Sequence, residues 1–304
     1  YAGSSGIGLS NDGKGKFLLQ PNPKGQILAF ERAYEQAGIN PADIDYVECH
    51  ATGTPVGDIT ELNSMERFFS RSGKKPLVGS AKSNFGHLLT AAGMAGMSKV
   101  ILGMANRQIP ATIHLDNPLS SKNGTISGEQ MITETIPWPQ QGNSERAGVS
   151  AFGFGGTNAH LILEKESAVT RQPSTVNPEQ RLAIVGMDAF FGGCDGLEAF
   201  VQTVYGGKQH FTAVPTGRWQ GVEQESSLLA QYNFADGKAP EGAFITDFDL
   251  DFFHFKIPPN NDQPIPQQLL ILKVADRALH DAGVAEGGNV AVIIGTGAEL
   301  ALHS

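Results

Sequence analysis

Between Glu164 and Arg181 the chain reads Lys-Glu-Ser-Ala-Val-Thr-Arg-Gln-Pro-Ser-Thr-Val-Asn-Pro-Glu-Gln, a stretch with two prolines and no apolar period. A segment like this has no face to bury, so it reads as a linker over 166–180 and divides the chain into 1–165 and 181–304. On both sides of it, helix and strand signals alternate, which points to α/β organisation in each part.

Upstream, Ile27, Leu28, Phe30, Ala33, Tyr34 and Ala37 recur at helical spacing and stop at Gly38, predicting a helix from Lys24. A short strand, Tyr46-Val-Glu48, follows. Asp58 is placed to cap a helix running to about Ser70, Pro76–Ser80 predicts a buried strand, and the Ala/Gly-rich run from His87 to about Ala105 predicts a closely packed helix. Ala147–Lys165 predicts two strands around the glycine turn Phe152–Asn158. Downstream, Leu182–Met187 reads as a buried strand, Leu197–Tyr205 and Pro266–Gly283 as helices, and Val290–Ile294 as a strand. Thr212–Phe255 mixes aromatics, Gly, Pro and acids without a period, and reads as a long irregular excursion of the kind that forms lids or interfaces.

The 304 residues, 40% apolar and 17% charged, have the make-up of an ordinary globular protein with room for one large or two medium domains. Leu88–Met104 is the longest weakly polar stretch. It is interrupted by Lys99 and short for a span, so no transmembrane helix is expected. No basic-then-apolar pattern follows Tyr1, and the two cysteines, Cys49 and Cys194, lie far apart. No export signal, disulfide framework or cysteine metal site is expected, and a cytoplasmic location is the default. The net charge of −9 is uneven: residues 1–170 carry 14 Lys/Arg against 15 Asp/Glu, and 171–304 carry 8 against 16. An acidic second part repels phosphate backbones, so nucleic acid is not expected as a partner, and an acidic protein would dock on the first part.

Three motifs carry the chemistry: His50-Ala-Thr-Gly-Thr-Pro-Val-Gly-Asp58; Gly79-Ser-Ala-Lys-Ser-Asn-Phe-Gly-His87 with Ala91-Ala-Gly93; and Phe152-Gly-Phe-Gly-Gly-Thr-Asn-Ala-His160. In this order they resemble the C-terminal half of a beta-ketoacyl synthase. Arg181–Gly297 is similar, more loosely, to the opening of a second condensing domain, through Ile184-Val-Gly-Met187, Val214-Pro-Thr-Gly-Arg-Trp219, Asp249-Leu-Asp-Phe-Phe253 and Pro266-Gln-Gln-Leu-Leu270. The tandem resembles the ketosynthase and chain-length-factor pair of bacterial polyunsaturated fatty acid synthases, relatives of polyketide synthases. The fold this implies is α/β and thiolase-like, a layered α/β/α/β/α sandwich, here a C-terminal half followed by the N-terminal half of a second domain.

The resemblance also implies a reaction. Decarboxylative Claisen condensation joins an acyl group held on a cysteine to the carbanion of a malonyl thioester, and the enolate oxygen needs hydrogen-bond donors as its charge develops. Carried over, His50 and His87 are those donors, both neutral, and Lys82 holds their polar network. Thr52 and Thr54 meet the amides of a phosphopantetheine arm, and Phe152 and Phe154 are gating aromatics beside the nucleophile. The chain itself binds no cofactor or metal in this reading. Its partners are an acyl carrier protein, the missing halves of its own domains and a second copy in a homodimer.

Neither cysteine suits the nucleophile. Cys49 abuts His50, but neighbours on an extended strand point to opposite faces. Cys194 lies in a Gly-rich turn near the start of the second part. In the family the nucleophile sits at a helix N-terminus, in a segment that would precede Tyr1. His114 and His160 read as structural, and Phe152-Gly-Phe-Gly-Gly lacks the spacing of a dinucleotide loop. Two other readings are a non-catalytic scaffold of the chain-length-factor kind and a coenzyme A acyltransferase. The second is disfavoured because that relative has a cysteine base where this chain has histidine.

Overall fold

The computed structural model describes residues 1–13, 20–139, 144–153, 155–166, 182–258, 266–285 and 287–295. They form two compact units: Tyr1–Ser83 with His87–Ile184 and Gly288–Ser304, and Asn84–Gly86 with Val185–Gly287.

In the first unit, strand β1 (Ala2–Asn11) leads to helix α1 (Pro23–Ala37), strand β2 (Tyr46–Glu48), helix α2 (Pro55–Phe69), strand β3 (Leu77–Gly79), the single turn α3 (Lys82–Phe85), whose Asn84 and Phe85 count with the second unit, and helix α4 (Ala92–Asn106). Strands β4 (Gln108–Ile109) and β5 (Ile136–Pro137) pair with each other, and β6 (Ser144–Phe152) and β7 (Thr157–Glu166) form a hairpin. With β8 (Leu182–Ile184) they complete a mixed six-stranded sheet in the order β3-β2-β6-β7-β1-β8, parallel at β3-β2-β6 and antiparallel beyond.

Helix α1 begins where Asn22 accepts a hydrogen bond from the Lys24 N–H and Pro23 supplies a preset φ, and it stops at Gly38, which is left-handed at φ 64°. Its buried face, with Phe30 and Ala33 fully enclosed, lies on β1. Burying a side chain the size of Phe30 contributes about 1.5–3 kcal/mol. The sequence pattern does not signal β1, whose small and polar residues show little alternation. Its glycines are a packing device: a Cβ on Gly8 would lie 1.9 Å from the Ala29 carbonyl oxygen, and one on Gly6 would lie 2.4 Å from that of Ala33.

Strand β2 shows the alternation that organises the site. Val47 and Cys49 join the cluster of Phe30, Leu62, Met65 and Phe68 from α1 and α2, whereas Tyr46 and Glu48 bond Lys99 of α4. The sheet therefore carries α1 and α2 on one face and α4 on the other.

Several boundaries differ from expectation. Helix α2 starts at Pro55 behind Thr54, because Pro suits the first helical position, so Asp58 sits inside the first turn rather than capping it. The run expected to be helical from His87 becomes α-helical only at Ala92, after a 3-10 turn over Leu89–Ala91 that Leu89 enters at φ 51°. Leu182–Ile184 is an edge strand, with Leu182 72% exposed, rather than a buried one. Val290–Ile294 pairs with no strand among the described residues and is exposed, so it does not form the expected strand. An apolar run becomes a strand only where a neighbour takes its N–H and C=O groups.

In the second unit, β9 (Phe190–Phe191) and β10 (Cys194–Asp195) make a two-stranded ribbon followed by α5 (Leu197–Tyr205), the short α6 (Ser226–Gln231) and α7 (Pro266–Asp281). Phe200 is fully buried, 5.6 Å from Phe191 and stacked at 5.2 Å on Phe85, which belongs to this unit. Between α5 and α7 the chain is mostly irregular, as its lack of period implied.

Candidate active site

The first unit holds a cavity of about 410 Å³ whose wall includes His50, Thr52, Thr54, His87 and Phe152. Three separate stretches deliver them: the turn after β2, the break between α3 and α4, and the end of β6. The rings of His50 and His87 meet edge to face with centroids 5.3 Å apart, and Phe152 lies 5.4 Å from His50. Phe154 lies outside the described residues.

Both histidines are held neutral. Burial, then the Lys82 cation, then His87 bring His50 down to about 3, and burial with Lys82 lowers His87. The Leu89 N–H donates to Nδ1 of His87 at 3.0 Å, so the neutral ring carries its hydrogen on Nε2. His87 is thus a fixed hydrogen-bond donor.

The His50 turn is tied by a residue that the three motifs do not flag. Glu61, almost fully buried on α2, accepts the His50 N–H on Oε1 and the Ala51 N–H on Oε2, both at 2.8 Å. Burial pushes its carboxyl up to about 7 against the pull of those two N–H groups and of Lys82. The carboxyl of Asp58, one turn earlier on the same helix face, is raised by burial against the pull of the N–H groups of Thr52, Gly53 and Thr54. That spacing of acids after the glycine-threonine motif was the available signal for Glu61.

Lys82 is lowered by burial and raised first by Glu48, then by Glu61. The hydroxyls of Thr52 and Thr54 lie 2.9 Å apart at the mouth, and Gly57 makes room for them, since a Cβ there would lie 2.5 Å from the Thr54 hydroxyl. The cavity wall carries the two threonine hydroxyls and is apolar at Phe152.

Cys49 turns away as strand alternation required. It lines a separate cavity of about 400 Å³ with Leu62, Val78, Leu115 and Met131, and burial pushes its thiol up. The exposed His114 lines that cavity as well. His160 is a core histidine, fully buried, bonded to the Ser150 hydroxyl at 3.0 Å and stacked on Tyr34. In the second unit the Cys194 sulfur sits 3.0 Å from the Thr203 hydroxyl and 3.2 Å from Nε2 of His210, again buried with its thiol raised. Among the described residues no cluster of three or more His, Cys, Asp or Glu could hold a metal ion, and no helix is long and apolar enough to cross a membrane.

Comparison with known proteins agrees with the three motifs. The family described as "Beta-ketoacyl synthase, C-terminal domain" matches residues 1–116, "Ketoacyl-synthetase C-terminal extension" matches 123–189, and "Beta-ketoacyl synthase, N-terminal domain" matches 179–303. A polyunsaturated fatty acid synthase protein of Thraustochytrium sp. is 38% identical over 317 residues, which take in 100% of this chain and 15% of that protein. Polyketide synthase GfsA of Streptomyces halstedii is 37% identical over 60% of this chain and 2% of its own length. The chain thus spans a small fraction of the curated relatives it matches. A solved structure titled "PfaC Keto synthase-Chain length factor" is 49% identical with a TM-score of 0.54, covering 94% of this chain and 30% of that one. A ketosynthase from module 6 of the bacillaene synthase of Bacillus subtilis is 36% identical with a TM-score of 0.51, covering 56% of this chain and 32% of its own. The chain belongs to the beta-ketoacyl synthase family, of the polyunsaturated fatty acid and polyketide synthase type, and carries a C-terminal ketosynthase domain followed by an N-terminal one.

Proposed function

We propose that this chain is part of a beta-ketoacyl-[acyl-carrier-protein] synthase, an acyltransferase that performs decarboxylative Claisen condensation in polyunsaturated fatty acid or polyketide synthesis. The observation that carries this is the pair of neutral histidines, edge to face at 5.3 Å in one cavity with Phe152 and the two threonine hydroxyls.

In this reading, loss of carbon dioxide from a malonyl thioester leaves an enolate. Its oxygen accepts hydrogen bonds from His50 and from Nε2 of His87, which stabilise charge only as it forms. Lys82 fixes the field around both rings. Thr52 and Thr54 hold the phosphopantetheine arm of an acyl carrier protein, while Phe152 and Phe154 border the acyl group. The nucleophilic cysteine comes from outside this chain, so the chain alone does not condense. Residues 1–165 are the C-terminal half of the catalytic domain, 166–180 a linker, and 181–304 the start of a second domain. The full protein works as a cytoplasmic homodimer, and the missing halves of both domains complete its sites.

A second reading applies to the second domain: a chain-length-factor-like scaffold that shapes an acyl tunnel. The likeness to the keto synthase and chain-length-factor structure favours it.

The test is malonyl decarboxylation by the protein produced with its flanking sequence and charged with malonyl-acyl carrier protein. His50→Ala and His87→Ala are each expected to slow carbon dioxide release by about 100-fold or more. Release at the unmodified rate in both variants would remove the condensing-enzyme reading.

A further inference from the structure

Behind the cavity, Glu48, Lys99 and Tyr46 form a closed group, none more than 1% exposed. Oε2 of Glu48 accepts from the Tyr46 hydroxyl at 2.6 Å and from Lys99 Nζ at 3.1 Å, and Lys99 also donates to the Tyr46 oxygen at 2.9 Å. The other carboxylate oxygen, Oε1, accepts the backbone N–H of Ala81 at 2.5 Å. Gly96 of α4 is cut back to admit this carboxylate, since a Cβ there would lie 2.9 Å from Glu48 Cγ.

Stability does not account for such a group. A buried ion pair gains little over a well-packed apolar pair of the same volume, because both charges lose their water. What sets this one apart is the bond to Ala81, the residue before Lys82. Glu61 ties the His50 segment by two N–H groups, and Glu48 ties the head of the Lys82–His87 segment by one. Each histidine-bearing stretch has its own buried carboxylate, reached from opposite sides of the strand.

We propose that Glu48 is a positioning residue of the active site, holding the Ala81–Lys82 peptide in place, with Lys99 and Tyr46 fixing its own orientation. This rests on the decarboxylating role assigned to the cavity. Seven groups bear on Lys82: Glu48, Glu61 and Cys49 raise its pKa, Lys99 lowers it, and Asp58, His50 and His87 feel its charge. Glu48 is the largest of the influences that keep it cationic.

The experiment compares pH–rate profiles of malonyl decarboxylation for Glu48→Gln and Lys99→Met in the full protein. Glutamine keeps an oxygen for the Ala81 N–H and nearly the same shape, but removes the charge. The alkaline limb is expected to move to lower pH by about one unit, with kcat near pH 8 down about tenfold and KM within about twofold. In Lys99→Met the Glu48 carboxylate still accepts from Tyr46 and Ala81 and has Lys82 as its remaining cation, so the limb moves to higher pH. A merely structural pair would lower activity and melting temperature in both variants without displacing either limb. An unmoved limb in Glu48→Gln, or displacement in the same direction in both, overturns the proposal. If Lys99→Met does not fold, the Glu48→Gln profile decides alone. If the unmodified protein releases no carbon dioxide, the functional reading falls first and takes this inference with it.

Discussion

The first unit wraps a six-stranded sheet around Phe30, Val47, Met65 and Ile162. The described strands of the second are at most two residues long, and Phe253 and Tyr232 stand 95% and 69% exposed. Order in the second unit rests on the Phe85–Phe191–Phe200 cluster and on Asp195 bonded to Lys273 and Arg277. The difference teaches where fine positioning is affordable. Two histidines can be set ring to ring only on turns anchored in a stiff sheet, and the unit with that sheet is the one with the site.

The largest effect that would sharpen this contrast comes from the buried lysines. Lys99→Met removes the cation paired directly with the buried Glu48 carboxylate, and about 3–5 kcal/mol of first-unit stability is expected to go. Lys273→Met leaves Asp195, 39% exposed, with water and Arg277, so about 1 kcal/mol is expected. Urea unfolding of each variant, followed by amide exchange in β7 and in α5, reads the units separately. Equal losses would mean that the second unit is as closed as the first.

Next come the helix-seating glycines, which both units use. A Cβ on Gly8 would strike the Ala29 carbonyl at 1.9 Å, and one on Gly186 would strike the Ala278 carbonyl at 2.5 Å on α7. Gly8→Ala and Gly186→Ala are each expected to cost about 1–3 kcal/mol through overpacking. The cost should be the greater in the first unit, where α1 is held by the sheet below and by α2 beside it. A larger melting-temperature drop for Gly186→Ala would reverse the comparison.

The smallest effect is in pH dependence. His160 and His50, both lowered to about 3, stay neutral in the fold while the unfolded chain binds protons below about 6.5. Their contribution is complete above that value and is lost as pH falls towards 3. Glu61, raised to about 7, has the opposite sign: its contribution is present below about 4.5 and lost as pH rises through 7. First-unit stability should therefore peak near neutrality, and Glu61→Gln should flatten the alkaline side. In the second unit Asp195, lowered chiefly by its bonds to Lys273 and Arg277 against burial, contributes above the ordinary aspartate range and loses that contribution only as pH falls below it. Urea midpoints measured from pH 4 to 9 are expected to show a maximum in the first unit and, in the second, a level above about 6.5 that declines in more acid solution, where the unfolded chain protonates His210, held low by burial and Lys208.

Much of the site was legible because contiguous glycine- and threonine-rich motifs carry His50, Thr52, Thr54, Lys82, His87 and Phe152, and the fold has only to bring three turns together. Glu61 was not, since its meaning depends on α2 folding back so that a carboxylate eleven residues on meets the His50 N–H. Glu48 reads as an alternating strand residue until α4 places Lys99 beside it. Strand β1 escaped because its glycines serve helix packing, which leaves no period in the chain itself. Val290–Ile294 carries a strand's composition, but pairing depends on a neighbour, and composition does not record one.

The N–H that Leu89 gives to Nδ1 of His87 also decides what that ring cannot do. An imidazole relays a proton only if one nitrogen can take it up while the other lets it go. Here the lone pair that would receive it is already engaged, and the far nitrogen holds its hydrogen. His87 conducts polarity without conducting protons, so under the proposed decarboxylation any proton that the product carbon acquires would arrive by another route, and isotope from solvent would enter the product without passing through this ring.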